Sequence, residues 1–215
     1  MLEPKLKFNG IYDKRTVKFL NENNVYNFSL DFRPRSLNFI QIHLAQQIVK
    51  SNETSNFFLE FENEKEFVIS KVLREISDLV PEGKLYLEFS DHLESKFYEQ
   101  FNCPYYLHID SLAKINSEYL SGRNLKGVIF DGKFLASQHL NGSFSSLINN
   151  FYSIVKARSI DLELCIFKDW TLDLFPSIEA YFDFDKVCLP INSNIEKCFR
   201  NVDLNKIKSE LKHLS

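Results

Sequence analysis

The order of apolar runs along the chain predicts an α/β fold, a parallel eight-stranded (β/α)8 TIM barrel forming a single domain over residues 1–215. Three observations predict it. Short runs with strand character alternate with segments that carry helical spacing or a helix cap. Eight such units in 215 residues suit a closed barrel better than an open doubly wound sheet, which usually has about five or six strands. No linker, repeat period or low-complexity segment divides the chain.

LKFNGI at Leu6 to Ile11 reads as the first strand, and the segment from Asp13 as a helix with an Asp cap and Val17, Phe19 and Leu20 apolar. Val25 to Phe32 is the second strand, followed by the loop RPRSLNF and a helix around Ile42 to Val49. Asn56 to Phe61 is the third. The helix after it places Phe67, Ile69, Val72, Leu73 and Ile76 at near-helical spacing. KLYLEF is the fourth strand, and a helix is expected over Asp91 to Phe101, with Leu93, Phe97 and Phe101 on one stripe. PYYLHI is the fifth, with a helix over Ser111 to Gly122 that Gly122 terminates. Leu125 to Gly132, reading LKGVIFDG, is the sixth, and its helix runs over Ser143 to Arg158. LELCIF is the seventh, TLDLF at Thr171 to Phe175 a short helical piece, KVCLPI the eighth, and Asp203 caps the last helix.

The net charge of -3 and pI near 6.0 give no electrostatic reason to expect nucleic acid as partner. No apolar run approaches the roughly 18 residues that span a bilayer, and MLEPKLKFNG lacks a signal-peptide core. A cytoplasmic protein without a membrane partner is expected. Cys103, Cys165, Cys188 and Cys198 form no CxxC pair and have no histidine at zinc-ligand spacing, so no metal site or redox motif is indicated and no cofactor is expected. Only 6 glycines are present, where average usage of about 7% gives roughly 15. Phosphate-cradling loops need glycine for close backbone approach. The 21 phenylalanines and 9 tyrosines are expected mostly in the core, the alternative being an exposed interaction patch.

Carboxyl ends of parallel strands are where barrels bind ligands, which gives Asp131 a reading as a general acid beside its plain reading as a turn residue. KFNGI at Lys7 to Ile11 and GVIFDGK at Gly127 to Lys133 resemble the first and sixth strands of the phosphoribosylanthranilate isomerases. FRPRSLNFI at Phe32 to Ile40 is similar to their loop after the second strand, with Arg35 for a lysine and Asn38 for an arginine implicated in binding and catalysis. NSNIEKCFRNVD at Asn192 to Asp203 matches the segment after their eighth strand through Ser193, Ile195, Glu196 and Asp203, with Asn194 and Arg200 in place of glycines. Their glycine loop after strand six falls on Gln138 to Asn141, and their Gly-Gly after strand seven on Lys168 and Asp169.

The resemblance implies a place in tryptophan biosynthesis and an Amadori rearrangement, in which an acid protonates the sugar ring oxygen and a base removes a proton from carbon. Asp131 falls on the family's general acid. Asn9 falls on its general-base cysteine, and an amide has no basic state near pH 7. Glu88 at the end of strand four is the first candidate to replace that base, its plain reading being a solvated strand-end carboxylate, and Asp31 is another candidate. Ser193 and Asn194 offer donors to a phosphate and Lys168 offers charge, although a solvated surface lysine is the plain reading. Two functions stay open at this point. One is a divergent isomerase, inefficient in the parent reaction, acting on a phosphorylated sugar or related small molecule; the other is a non-catalytic barrel retained for small-molecule binding or protein interaction.

Overall fold

The computed structural model describes residues 5–158, 161–171, 178 and 180–214. Eight parallel strands close into a barrel in chain order: β1 Lys5–Asn9, β2 Asn27–Asp31, β3 Asn56–Phe61, β4 Leu85–Phe89, β5 Tyr105–Ile109, β6 Leu125–Asp131, β7 Glu163–Phe167 and β8 Lys186–Pro190. Closure is made by β1 against β8, with Lys5 opposite Lys186 and Asn9 opposite Pro190. Helices α1 Lys14–Glu22, α2 Ile42–Lys50, α3 Glu66–Ser77, α4 Ser95–Glu99, α5 Gly132–Leu140, α6 Phe144–Arg158 and α7 Leu204–Leu214 follow their strands, and β9 Glu196–Cys198 pairs with β10 Asn201–Val202 beside the mouth. Among the described residues no helix is long and apolar enough to cross a membrane.

Strand side chains alternate between two environments, and this alternation builds the site. Phe8, Phe28, Leu30, Leu59, Leu87, Leu107, Val128 and Ile166 point outward into the main apolar core. Their sequence neighbours point into the barrel. The register sets inward residues of neighbouring strands beside one another, Ser29 with Phe58, Phe58 with Tyr86 and Glu60 with Glu88. Low in the barrel, Phe58, Tyr86 and Tyr106 pack ring against ring with centroids 4.9–5.7 Å apart, over Ile129, Cys165 and Cys188. Towards the carboxyl ends the interior turns polar. Lys7, Asn9, Ser29, Asp31, Glu60 and Glu88 are all buried there.

Four sequence expectations change. Phe67 is 73% exposed, because at 100° per residue it lies far round the helix from the buried stripe of Ile69, Val72 and Ile76. The helix expected over Asp91 to Phe101 is confined to α4. Asp91 instead accepts from Tyr98 Oη (2.7 Å) and Asn63 N (3.0 Å), and Leu93 N donates to the Tyr98 hydroxyl, so side chains hold the segment before α4 in a non-helical strap. Ser111 to Gly122 forms two short 3-10 turns, Leu112–Lys114 and Tyr119–Ser121, since the Asn116 side chain accepts from Tyr119 N and interrupts the ladder. Gly122 has an extended backbone and ends no helix. A Cβ there would lie 1.8 Å from the Tyr105 hydroxyl, so glycine is required by close approach. Finally, α5 follows β6 directly and was not expected. TLDLF lies outside the described residues except for Thr171. Cys198 is exposed, whereas the other three cysteines are buried.

A candidate proton-transfer site at the mouth of the barrel

A cavity of about 240 Å³ opens at the carboxyl ends of the strands, lined among others by Asn9, Asp31, Glu60, His108, Asp110 and Asp131. Beneath it lies a charged network. Lys7 Nζ donates to Asn9 Oδ1 (2.9 Å) and Glu88 Oε2 (2.7 Å), and Asn9 Nδ2 donates to Glu88 Oε1 (2.9 Å). His108 Nε2 stands 2.6 Å from the same Glu88 Oε1. A second group adjoins it: Arg33 bridges Asp31 Oδ2 (2.7 Å) and Glu60 Oε1 (2.8 Å), and Ser29 Oγ donates to Glu60 Oε2 at 3.3 Å. Both glutamates come from the inward face because Glu60 and Glu88 are register partners on β3 and β4.

The two carboxyls differ electrostatically. Burial pushes Glu88 up, but Lys7 and His108 outweigh it and hold the group below the usual carboxylate range. Burial also opposes the charge on Lys7, and the Glu88 carboxylate overrides it, leaving the ammonium raised. For Glu60, burial and then repulsion from Glu88 outweigh Arg33, so its carboxyl is pushed up to about 7. A folded-state value above the unfolded one means the native state keeps a proton that the unfolded chain has released. Glu60 therefore favours folding less and less as pH rises from the ordinary glutamate range to about 7, whereas the Glu88 contribution is lost as pH falls. Glu60→Gln is expected to remove a loss on the order of 1–3 kcal/mol between about pH 5 and pH 7.5. Denaturant unfolding at both pH values checks this; the same pH dependence in the variant would refute it.

Glu60, Glu88 and His108 are the described residues with metal-ligand geometry, one ligand atom from each lying within 4.8 Å of the others. Their counter-charge is already supplied by Lys7 at 2.7 Å and Arg33 at 2.8 Å. A divalent cation would have to displace or repel both, so these residues do not fit a metal.

Beside the mouth, Asp169 after β7 draws its donors from two loops. Its Oδ1 accepts from Trp170 N (2.8 Å), Asn192 Nδ2 (3.2 Å) and Asn194 Nδ2 (3.2 Å), and Lys133 Nζ stands 3.8 Å from its Oδ2. These donors converge on a carboxylate that belongs to the chain itself. On the other side, Gly10 adopts φ 79°, and a Cβ there would lie 2.4 Å from Asn38 Nδ2. Asn38 thereby reaches across β1 to donate to Ile191 O at 2.6 Å.

Neither a family model nor a curated protein matches the chain. Solved structures do. A monomeric form of phosphoribosylanthranilate isomerase from Thermotoga maritima is 13% identical over 98% of each chain, with a TM-score of 0.69. The Thermus thermophilus isomerase is 11% identical over 98% of this chain and 100% of its own, with a TM-score of 0.68. An isomerase bound to reduced 1-(o-carboxyphenylamino)-1-deoxyribulose 5-phosphate is 13% identical over 98% of each chain, with a TM-score of 0.70. The chain has the fold of the phosphoribosylanthranilate isomerases. An HpcH/HpaI aldolase from Desulfitobacterium hafniense also matches, at 8% identity and a TM-score of 0.60, which marks the likeness as one of fold.

Against that isomerase fold the sequence-derived candidates fall into three groups. Asn9, Asn38 and Asp131 line the cavity. Asp131 also caps α5, its Oδ1 accepting from Phe134 N at 2.7 Å. Glu88 lies beneath the cavity, fully buried, rather than as a solvated strand-end carboxylate. Arg35 is exposed over a separate cleft with Glu62 and Glu64, and Ser193 is exposed. Lys168 is half-buried, its backbone N–H extending the β7–β8 ladder to Cys188 O. Asn194 does not adopt the left-handed backbone, whereas Arg200 does, at φ 57°. Gln138 to Asn141, where the resemblance puts a glycine loop, are the last turn and cap of α5. Their N–H groups are spent within the helix. His108, Glu60 and Arg33 went unnoticed in the sequence, although Glu60, Glu88 and His108 all occupy inward slots near the ends of adjacent strands.

Proposed function

We propose that this chain is a divergent phosphoribosylanthranilate isomerase-like barrel that binds a small polar molecule at its mouth and runs the parent Amadori isomerisation inefficiently. The observation that carries the reading is Asp169. A phosphate held between the loops after β7 and β8 needs uncommitted donors there, and Asn192, Asn194 and the Trp170 N–H are committed to a resident carboxylate. Asn9 supports it independently, since its amide is not a base and both of its polar atoms are taken by Lys7 and Glu88. Asp131 keeps Oδ2 for the residual acid role.

Buried ion pairs are weak contributors to stability, and well-packed apolar residues often serve as well or better. The charged interior therefore favours a working site over the alternative of an inert barrel retained for interaction. Calorimetric titration with the reduced phosphoribulose analogue tests the reading: no saturable binding at millimolar concentration is expected.

A further inference from the structure

We propose that Glu60 and His108, presented to the mouth from β3 and β5, form the proton-transfer pair of this site, with Glu88 as the positioning residue for His108 and a small non-phosphorylated α-hydroxy aldehyde or ketone as substrate. The inference rests on the reading above, that the mouth binds a small polar molecule without a phosphate grip. One carboxylate oxygen of Glu60 and one ring nitrogen of His108 lie within 4.8 Å of each other. A small molecule seated between the two side chains can present a carbon-bound hydrogen to one and the neighbouring oxygen to the other. Both residues line the cavity.

Glu88 fixes the chemistry of the ring. An ionised carboxylate only accepts, so Nε2, 2.6 Å from Glu88 Oε1, carries the imidazole proton and the basic lone pair is on Nδ1. Nδ1 has no hydrogen-bond partner among the described residues. Glu60 is oriented by Arg33 and Ser29, and its elevated carboxyl leaves a proton to give near neutral pH. The groups facing the pair are Lys7 from β1, Asp31 from β2, Glu88 from β4, Cys188 from β8 and Arg33 from the loop after β2, with Asp110 and Asp131 on the wall of the same cavity.

The step balances without a co-reactant. His108 Nδ1 takes the proton from the hydroxyl-bearing carbon, the C–H electron pair forms the carbon–carbon double bond, and the carbonyl oxygen takes the Glu60 proton. The enediol so formed returns its other hydroxyl proton to the Glu60 carboxylate, and the imidazolium delivers its proton to the former carbonyl carbon. The product is the isomeric hydroxy ketone or aldehyde, with both residues restored. Substrate class follows from the walls. A cavity of about 240 Å³ lies below the roughly 300–1,000 Å³ of drug-sized sites and suits a triose to a pentose. Ser36, Asn38 and Ser90 offer hydroxyl partners, while Asp31, Asp110 and Asp131 disfavour an anionic ester.

The test is deuterium exchange at the carbon next to the carbonyl, followed by proton NMR in heavy water with glyceraldehyde, erythrose and ribose as probes. Wild-type protein is expected to catalyse exchange of at least one, and His108→Asn and Glu60→Gln each to lower the rate by about 10²-fold or more. Glu88→Gln is expected to move the pH profile of the exchange rate, the readout of a positioning role. No exchange by the wild type, or exchange that survives His108→Asn, overturns the proposal. Should a variant not fold, nitrogen-15 spectra of the wild type decide: His108 is expected as the Nε2–H tautomer with Nδ1 shifted by the reactive sugar, and an Nδ1–H tautomer overturns the pair. Tight binding of the phosphorylated analogue would instead remove the underlying reading, an outcome distinct from any of these.

Discussion

Lys7→Met is expected to cost about 3–5 kcal/mol of folding stability, because it strands the Glu88 carboxylate inside the barrel with its ammonium partner gone. Lys7 and Glu88 are both fully buried, and the ammonium also sits 4.8 Å from the centre of the Phe58 ring. Neither can reach water when its partner is removed. In a domain of this size each kcal/mol shifts the melting temperature by about 2–4 °C, so the transition should fall by roughly 6–20 °C. Lys7→Met combined with Glu88→Leu is expected to recover most of the loss, since the penalty comes from the orphaned charge more than from the lost attraction. Thermal and denaturant unfolding of both variants would measure it. A single-variant loss below about 1 kcal/mol would mean that the network is hydrated or absent.

Asn9→Cys is expected to give almost no parent isomerase activity, although a restored general base is worth about 10²–10⁴-fold where the substrate is held in place. Two features of the structure withhold that gain. Asn9 belongs to the Lys7–Glu88 network, so a thiol there loses the hydrogen bonds that the amide makes to both. More decisively, under the proposed reading Asp169 engages the donors that a phosphate would need, and a substrate that is not anchored forfeits the orientation on which proton transfer depends. Steady-state assay on phosphoribosylanthranilate should show a change of less than about tenfold. A gain of about 10²-fold or more, abolished by Asp131→Ala, would show that only the base had been missing.

The strands were legible because the outward face of each is apolar and continuous with the core, so even short runs such as NFFLEF and LYLEF carry a clear signal. The same alternation placed Asn9 and Asp131 at strand ends. Helices after β4 and β5 were misread for a tertiary reason. Asp91, Tyr98, Asn116 and Tyr119 satisfy backbone groups through side chains, and a window of hydrophobic spacing contains no information about such bonds. In α5 the apolar residues Phe134, Leu135 and Ala136 fall in succession, so no stripe announces the helix. At the site, a lone histidine in PYYLHI and a lone glutamate in NFFLEF are unremarkable on their own. Their meaning comes from sharing a level of the barrel interior, which requires the register. Asp169 likewise stands in the sequence only as a departure from glycine, because its donors come from the loop after β8 as well as its own and meet only in the fold.

The central claim, that the mouth of this barrel has exchanged a phosphate grip for a carboxylate of its own, is tested most directly by calorimetric titration of the wild-type protein with reduced 1-(o-carboxyphenylamino)-1-deoxyribulose 5-phosphate. No saturable heat is expected at millimolar analogue, with Asp169→Gly gaining measurable affinity as Asn192, Asn194 and the Trp170 N–H are released. Micromolar or tighter binding by the wild type, unchanged in Asp169→Gly, would contradict it.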